Sequence, residues 1–168
     1  LNHCAQCHAA DGGGSRGFPN LTDNDWLYGG EPETIKATIL NGRNGVMPPF
    51  GPALGDDGAK DVANYVRSLS GLANDEIRSA RGKALFAQNC VACHGAEGKG
   101  NTAVGAPNLT DKVWLYGSTE PTIIETVTKG RNNVMPAHKD FLGEARVHIL
   151  AAYVYGLSHP EARQPAKP

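Results

Sequence analysis

The sequence predicts an all-α protein made of two tandem copies of one small domain, each a few short helices joined by long loops. Three observations predict it. The chain repeats itself over most of its 168 residues, it lacks β-rich runs, and its four cysteines fall at equivalent places in the two halves.

The repeat is plain by inspection. Phe18-Pro-Asn-Leu-Thr-Asp-Asn-Asp-Trp-Leu-Tyr-Gly29 aligns with Ala106-Pro-Asn-Leu-Thr-Asp-Lys-Val-Trp-Leu-Tyr-Gly117, nine of twelve residues identical. Asn41-Gly-Arg-Asn-Gly-Val-Met-Pro48 aligns with Lys129-Gly-Arg-Asn-Asn-Val-Met-Pro136, and Val62-Ala-Asn-Tyr-Val-Arg-Ser-Leu-Ser70 with Leu150-Ala-Ala-Tyr-Val-Tyr-Gly-Leu-Ser158. The offset is 86 between Cys4 and Cys90 and 88 from Phe18 and Ala106 onward, so the second copy has gained two residues in the loop between. Self-similarity of this kind sets the architecture before any local reading does. The boundaries fall at residues 1–72 for the first domain, 73–159 for the second and 160–168 for a Pro-rich tail.

Each copy reads in the same order: lead-in helix, cysteine motif, Gly-rich loop, Trp-containing segment, helix, Met loop, final helix. In the second copy the lead-in runs from an Asp75 N-cap to Asn89, with Ile77, Leu85 and Phe86 broadly on one side. Gly82 there lets it cross close to the copy's own final helix near Leu150 and Tyr153, with Phe86 filling the crossing. A helix over 121–129 is ended by Gly130, and Glu144 to Leu157 is the last; the first copy has matching helices over 32–41, stopped by Gly42, and from about 59 to 70. Strands are expected to be absent or trivial. The first copy has only three residues before Cys4, which leads us to expect that the natural chain continues upstream of Leu1.

Bulk properties narrow the function. Net charge is −1 and the pI is near 6.6, which gives no electrostatic reason to expect nucleic acid as a partner. Gly (21) and Pro (11) make up about a fifth of the chain and aromatics 7%, as suits a loop-rich fold whose core is completed by something other than side chains. No apolar run approaches the ~20 residues that span a bilayer.

The cysteines identify the filler. Cys4/Cys7 and Cys90/Cys93 are each followed at once by a histidine, His8 or His94. C-x-x-C-H attaches c-type haem: two thiols add to the vinyl groups, and the adjacent imidazole binds iron. A dithiol redox motif would want a βαβ context. A zinc site from two C-x-x-C knuckles would leave both histidines unexplained. Structural disulfides within C-x-x-C turns would be strained. Two covalently attached haem c groups are therefore expected.

A sixth ligand is needed if iron is to move electrons without other chemistry. The only methionines, Met47 and Met135, lie in Gly-Arg-Asn-x-Val-Met-Pro of each copy, 39 residues after His8 and 41 after His94. Core packing is the usual role of a methionine. Equivalent placement of both makes ligation the better account. Thioether sulfur raises the potential and closes the site to dioxygen and peroxide, so a carrier is favoured over a catalyst. No catalytic residue is assigned.

Around them, Pro19 and Pro107 offer backbone carbonyls to orient the histidines. Arg43 and Arg131 are candidates to pair with a haem propionate, a solvated arginine being the alternative. Trp26, Trp114, Tyr28 and Tyr116 cap the haem edge or simply pack. His138 and His148 are given no assigned role, and His3 and His159 are expected to be exposed.

With these residues in view, the chain resembles the periplasmic di-haem part of the CcoP/FixP subunit of cbb3-type cytochrome c oxidase. The resemblance rests on Cys4-Ala-Gln-Cys-His8, Pro19-Asn-Leu-Thr-Asp23, Trp26-Leu-Tyr-Gly29 and Gly42-Arg-Asn-Gly-Val-Met-Pro48 with their second copies, and on Met135-Pro-Ala-His-Lys-Asp-Phe-Leu142. It implies two class I cytochrome c-like domains, with His8 and Met47 and His94 and Met135 as the two axial pairs, that pass electrons from a soluble cytochrome c donor to other cbb3 oxidase subunits. It also implies a location on the periplasmic side of the bacterial inner membrane, with attachment through a segment upstream of Leu1. The alternative is a free-standing soluble di-haem cytochrome c or the cytochrome subunit of a dehydrogenase. A di-haem peroxidase or a gas sensor would need an open iron, against which both methionines stand.

Overall fold

The computed structural model describes residues 2–163, and nearly every helix in it starts or stops at a residue chosen for that job. Helix α1 (Asn2–His8) carries the first cysteine pair. Helix α2 (Pro32–Asn41) has proline at its first position and ends at Gly42, whose φ of 69° a side chain would resist. Strand β1 (Arg43–Met47) follows directly. Helix α3 (Gly51–Leu69) is broken at Gly55 (φ 64°, ψ 178°) into a short turn and a long amphipathic run. Helix α4 (Glu76–Asn89) is capped by Asp75, whose side chain accepts from the Arg78 N–H at 2.9 Å.

Helix α5 (Val91–His94) carries Cys93 and has Cys90 as its N-cap, and α6 (Glu120–Lys129) is capped by Thr119 and ended by Gly130. Strand β2 (Arg131–Met135), α7 (Lys139–Leu142) and α8 (Glu144–Ser158) close the order, with a 3₁₀ turn over Pro160–Arg163. Residues 164–168 of the expected tail, like Leu1, lie outside the described residues. Among those described, no helix is long and apolar enough to cross a membrane.

Two expectations need correction here. The segments read as Met loops are five-residue strands that pair in a two-stranded sheet, so the fold is mostly helical but not purely so. In each, Arg, residue three and Met are half-buried while the Asn and Val between them face water, the alternation of a half-covered strand. Ile77 also does not join Phe86 in the core: it is exposed, and Phe86 is buried.

The larger correction concerns what packs on what. Of the described residues, those up to Asn44 and those from Val134 form one compact unit, and Gly45–Asn133 form the other. The units cut across the repeat boundary placed near residues 71–75, because each strand carries its chain from one unit into the other. In the first unit α2 packs against α8; in the second α3 packs against α4 and α6. Gly82 therefore crosses α3, not α8: a Cβ there would collide with the Asp61 carbonyl and press on Tyr65 at 3.0 Å. Phe86 does fill the crossing, edge-on to Tyr65 with ring centroids 5.2 Å apart. The second unit's core is Ala59, Val62, Ala63 and Val66 of α3, Phe86 and Cys90 of α4 and its end, and Ile123 and Val127 of α6. The first unit buries Ile35, Val147 and Ala151.

Candidate haem sites

Each cysteine pair lies on one helical turn, which puts both thiols and the following histidine along one short stretch of backbone. A Gly-rich loop then brings the chain back under the histidine. In the first unit Gly14 N–H donates to the His8 carbonyl at 2.9 Å and Leu21 N–H to the Gly12 carbonyl at 2.7 Å. In the second, Gly100 N–H donates to the His94 carbonyl at 2.8 Å and Leu109 N–H to the Gly98 carbonyl at 2.7 Å. Gly14 and Gly100 have φ of 76° and 82°, and a Cβ on either would press on the following Pro-Asn backbone within 2.7 Å. Only glycine fits there.

That return sets the histidines. His8 Nδ1 lies 2.8 Å from the Pro19 carbonyl and His94 Nδ1 lies 3.1 Å from the Pro107 carbonyl. A carbonyl only accepts, so Nδ1 carries the proton and Nε2 presents its lone pair to a metal. Burial of His94 pushes its pKa down, against the opposing pull of the Pro107 carbonyl, which keeps the imidazole neutral and able to ligate. Burial, with Cys93 adding to it, pushes the Cys90 thiol up to about 11. All four cysteines are free thiols, so none is consumed in a disulfide.

Further residues named from the sequence gather in the same way in both units. Arg43 lies 4.6 Å over the Tyr28 ring and donates through Nε to Thr38 Oγ1 at 2.9 Å. Arg131 lies 4.2 Å over the Tyr116 ring and donates to Thr126 Oγ1 at 3.1 and 2.8 Å. Stacking and a hydroxyl hold each guanidinium in place and leave further N–H donors for an anionic group. The Tyr116 hydroxyl bonds Asn133 Oδ1. The threonines were missed in the sequence reading, although both sit at the same repeat position. Trp26 is half-buried, and its Nε1 is shielded from solvent with no hydrogen-bond partner among the described residues. An unpaired buried N–H costs about 1–3 kcal/mol, and a haem propionate would satisfy it. Trp114 packs against the second unit's core.

The other histidines take bland positions. His3 is exposed and meets Phe141 edge-on, and His148 is exposed on α8. His159 is half-buried, stacked on Tyr155 at 4.0 Å, where exposure was expected. His138 is half-buried, with its Nδ1 unpartnered.

The residues present thus fit a covalently attached haem in each unit: thiols for attachment, an oriented imidazole, and a half-buried methionine. Met47 packs against the core of the second unit, and Met135 belongs to the first.

Comparison with known proteins agrees with this chemistry. The model of the family described as cytochrome C oxidase, cbb3-type, subunit III, matches residues 1–66 and 78–154. The chain is 52% identical over 158 residues to the cbb3-type cytochrome c oxidase subunit CcoP of Rubrivivax gelatinosus, covering 94% of this chain and 52% of that protein. It is 50% identical over 167 residues to subunit FixP of Bradyrhizobium sp. (strain ORS 278), covering 93% and 58%. Against subunit CcoP of Cereibacter sphaeroides it is 44% identical over 170 residues, covering 95% and 59%. The chain spans a little over half the length of these curated relatives.

Proposed function

The chain belongs to the family of subunit III of cbb3-type cytochrome c oxidase, and from that membership we propose that it is the di-haem electron-transfer portion of such a subunit. In this reading one haem c is bonded to Cys4 and Cys7 and a second to Cys90 and Cys93, with His8, His94, Met47 and Met135 as axial ligands. A haem so held supplies a one-electron couple between ferric and ferrous iron.

The observation that carries the reading is the matched pair of histidines. Each follows two free thiols on one helical turn, and each turns its Nδ1 to a proline carbonyl 2.8 or 3.1 Å away. Pro19 and Pro107 lock the imidazole plane and tautomer. Met47 and Met135 would supply thioether ligands, which raise the potential and deny the metal to small ligands. Arg43 and Arg131, fixed by Tyr28 and Tyr116, would neutralise propionates, and Trp26 would donate its indole N–H to one. With every ligand position filled by the protein, the chain by itself carries electrons and leaves catalysis to other subunits.

The donor in this reading is a soluble cytochrome c and the acceptors are other subunits of the oxidase, on the periplasmic side of the bacterial inner membrane. Covalent attachment supports that side, because it requires reduced thiols and haem outside the cytoplasm. The test is an absorption spectrum and redox titration of the protein matured in a competent host. Two low-spin centres are expected, with a mass exceeding the polypeptide by two haems. A high-spin centre, or reduced protein that binds carbon monoxide, would refute the carrier reading.

A further inference from the structure

We infer that His138 is a haem-binding residue of the first unit: its Nδ1–H donates to a propionate of the haem bonded to Cys4 and Cys7, a contact the second haem lacks. The role rests on the proposed attachment of that haem and adds a residue to its site.

Two unpaired atoms carry it. Among the described residues, the buried side-chain nitrogens and oxygens without a hydrogen-bond partner are Trp26 Nε1 and His138 Nδ1. Both belong to the first unit. Buried polar groups in native proteins almost always have a partner, because leaving one unpaired forfeits its bond to water for nothing. The carboxylates of a haem would satisfy both nitrogens. A carboxylate only accepts, so His138 would carry its proton on Nδ1.

The repeat shows where the imidazole sits. His138 holds the place that Phe50 holds 88 residues earlier. Their backbones are fastened alike: His138 N–H donates to the Ile39 carbonyl at 3.0 Å, and Phe50 N–H to the Val127 carbonyl at 2.9 Å. Ile39 and Val127 are themselves repeat equivalents. Phe50 packs against the core of the second unit, as Met47 and Trp114 do. The same backbone thus turns this position inward, and in the first unit the inward group is a polar ring. Packing alone would be served by a phenyl ring, with no nitrogen to desolvate.

The surroundings favour an anion. Thr38, the residue before Ile39, accepts from Arg43 Nε at 2.9 Å, and that guanidinium lies 4.6 Å over the Tyr28 ring. Consecutive residues of α2 therefore hold Arg43 and His138. The counterpart Arg131 has the Glu125 carboxylate at 3.8 Å, whereas the first repeat has Ala37 in place of Glu125. Arg43 forms no ion pair with a carboxylate among the described residues, so its charge is left for a ligand, and His138 adds a neutral donor at the same end of the helix. The negative charge of a propionate favours ferric iron, and each donor that draws on it favours ferrous iron. His138 therefore raises the potential of the first centre.

The experiment compares His138→Phe with His138→Asn in the two-haem protein. Phenylalanine is the residue the second repeat uses at this place, and asparagine keeps an N–H close to the position of Nδ1. Both variants should retain two covalent haems and their low-spin state. His138→Phe should shift the propionate bending band of one haem in the resonance Raman spectrum. It should also lower one of the two potentials, so that the ferrous-to-ferric ratio of that centre at a fixed applied potential falls several-fold. His138→Asn should restore both. With Cys4 and Cys7 replaced by Ser, His138→Phe should leave the remaining centre unmoved. Unchanged bands and potentials in His138→Phe overturn the proposal and leave the carrier reading intact, whereas a chain that takes up no covalent haem sinks both. A measurement on the unaltered protein stands beside the variants. With nitrogen-15-labelled histidine, the His138 ring N–H should be protected from exchange and show contacts to the propionate methylenes of the haem on Cys4 and Cys7. Rapid exchange, or a bond from this imidazole to iron, would refute the role.

Discussion

Asp61 accepts two hydrogen bonds from Arg81, at 2.7 and 2.9 Å, from a position in α3 that is almost wholly buried. Arg78 adds a third at 2.8 Å. These bonds tie the long helix of the first repeat to the lead-in helix of the second, and they make Asp61 the most heavily charge-paired buried group among the described residues.

A pH dependence follows. The Arg81 hydrogen bond, opposed by burial and aided by Arg78, holds the Asp61 carboxyl below its ordinary pKa. A carboxyl lowered on folding stabilises the native state above its unfolded pKa of about 3.9 and loses that contribution as pH falls through the folded value. Asp61→Asn should lower stability by about 2 kcal/mol at neutral pH, between an exposed pair and a fully buried one. The gap from the parent should shrink below about pH 4 and close in stronger acid. Denaturant midpoints measured across that range check it.

Gly82→Ala tests the helix crossing. Alanine favours helix over glycine by about 1 kcal/mol. The new methyl would collide with the Asp61 carbonyl, a backbone atom that cannot swing aside. Overpacking of this kind costs about 3 kcal/mol. The net expectation is a loss of about 2 kcal/mol, read from the unfolding midpoint of the haem-loaded protein. A stabilised variant would contradict the crossing.

Trp26→Phe separates the haem-loaded chain from the haem-free one. On the proposed donation of the indole N–H to a propionate, its removal from the haem-loaded chain should cost about 1–3 kcal/mol. Without haem the substitution deletes only an unpaired buried donor, so stability should hold or rise. Denaturation of both forms gives the comparison.

On the proposed ligation of one haem in each unit, replacing either methionine by histidine should keep both centres low-spin, because imidazole can also serve as the sixth ligand. Thioether favours ferrous iron and imidazole does so less, so one of the two potentials should fall while the other stays. A redox titration of Met47→His and Met135→His reads this directly, and each variant should move a different centre.

Much of this was legible in the residues. The α2 bounds follow from Pro32 and Gly42, the start of α4 from Asp75, and the end of α6 from Gly130, because caps are local chemistry. The histidine anchors were legible for the same reason: a proline carbonyl lies a short loop away, 11 residues after His8 and 13 after His94. Strands β1 and β2 were not, since five residues containing Gly or Asn carry little β signal and gain their order from pairing.

The sequence by itself determined the repeat and most of the helices, because each is written in short-range spacing or in residue chemistry. Only the tertiary structure decided which final helix packs on which elements: α3 against α4 and α6, and α8 against α2. The two helices bury equivalent positions, Ala59 with Val147 and Ala63 with Ala151, and hydrophobic burial is non-directional, so burial alone cannot choose between them. The choice rests on directional bonds from Asp61, Asn64 and Arg67 to partners 17 to 56 residues away, visible once the helices are packed.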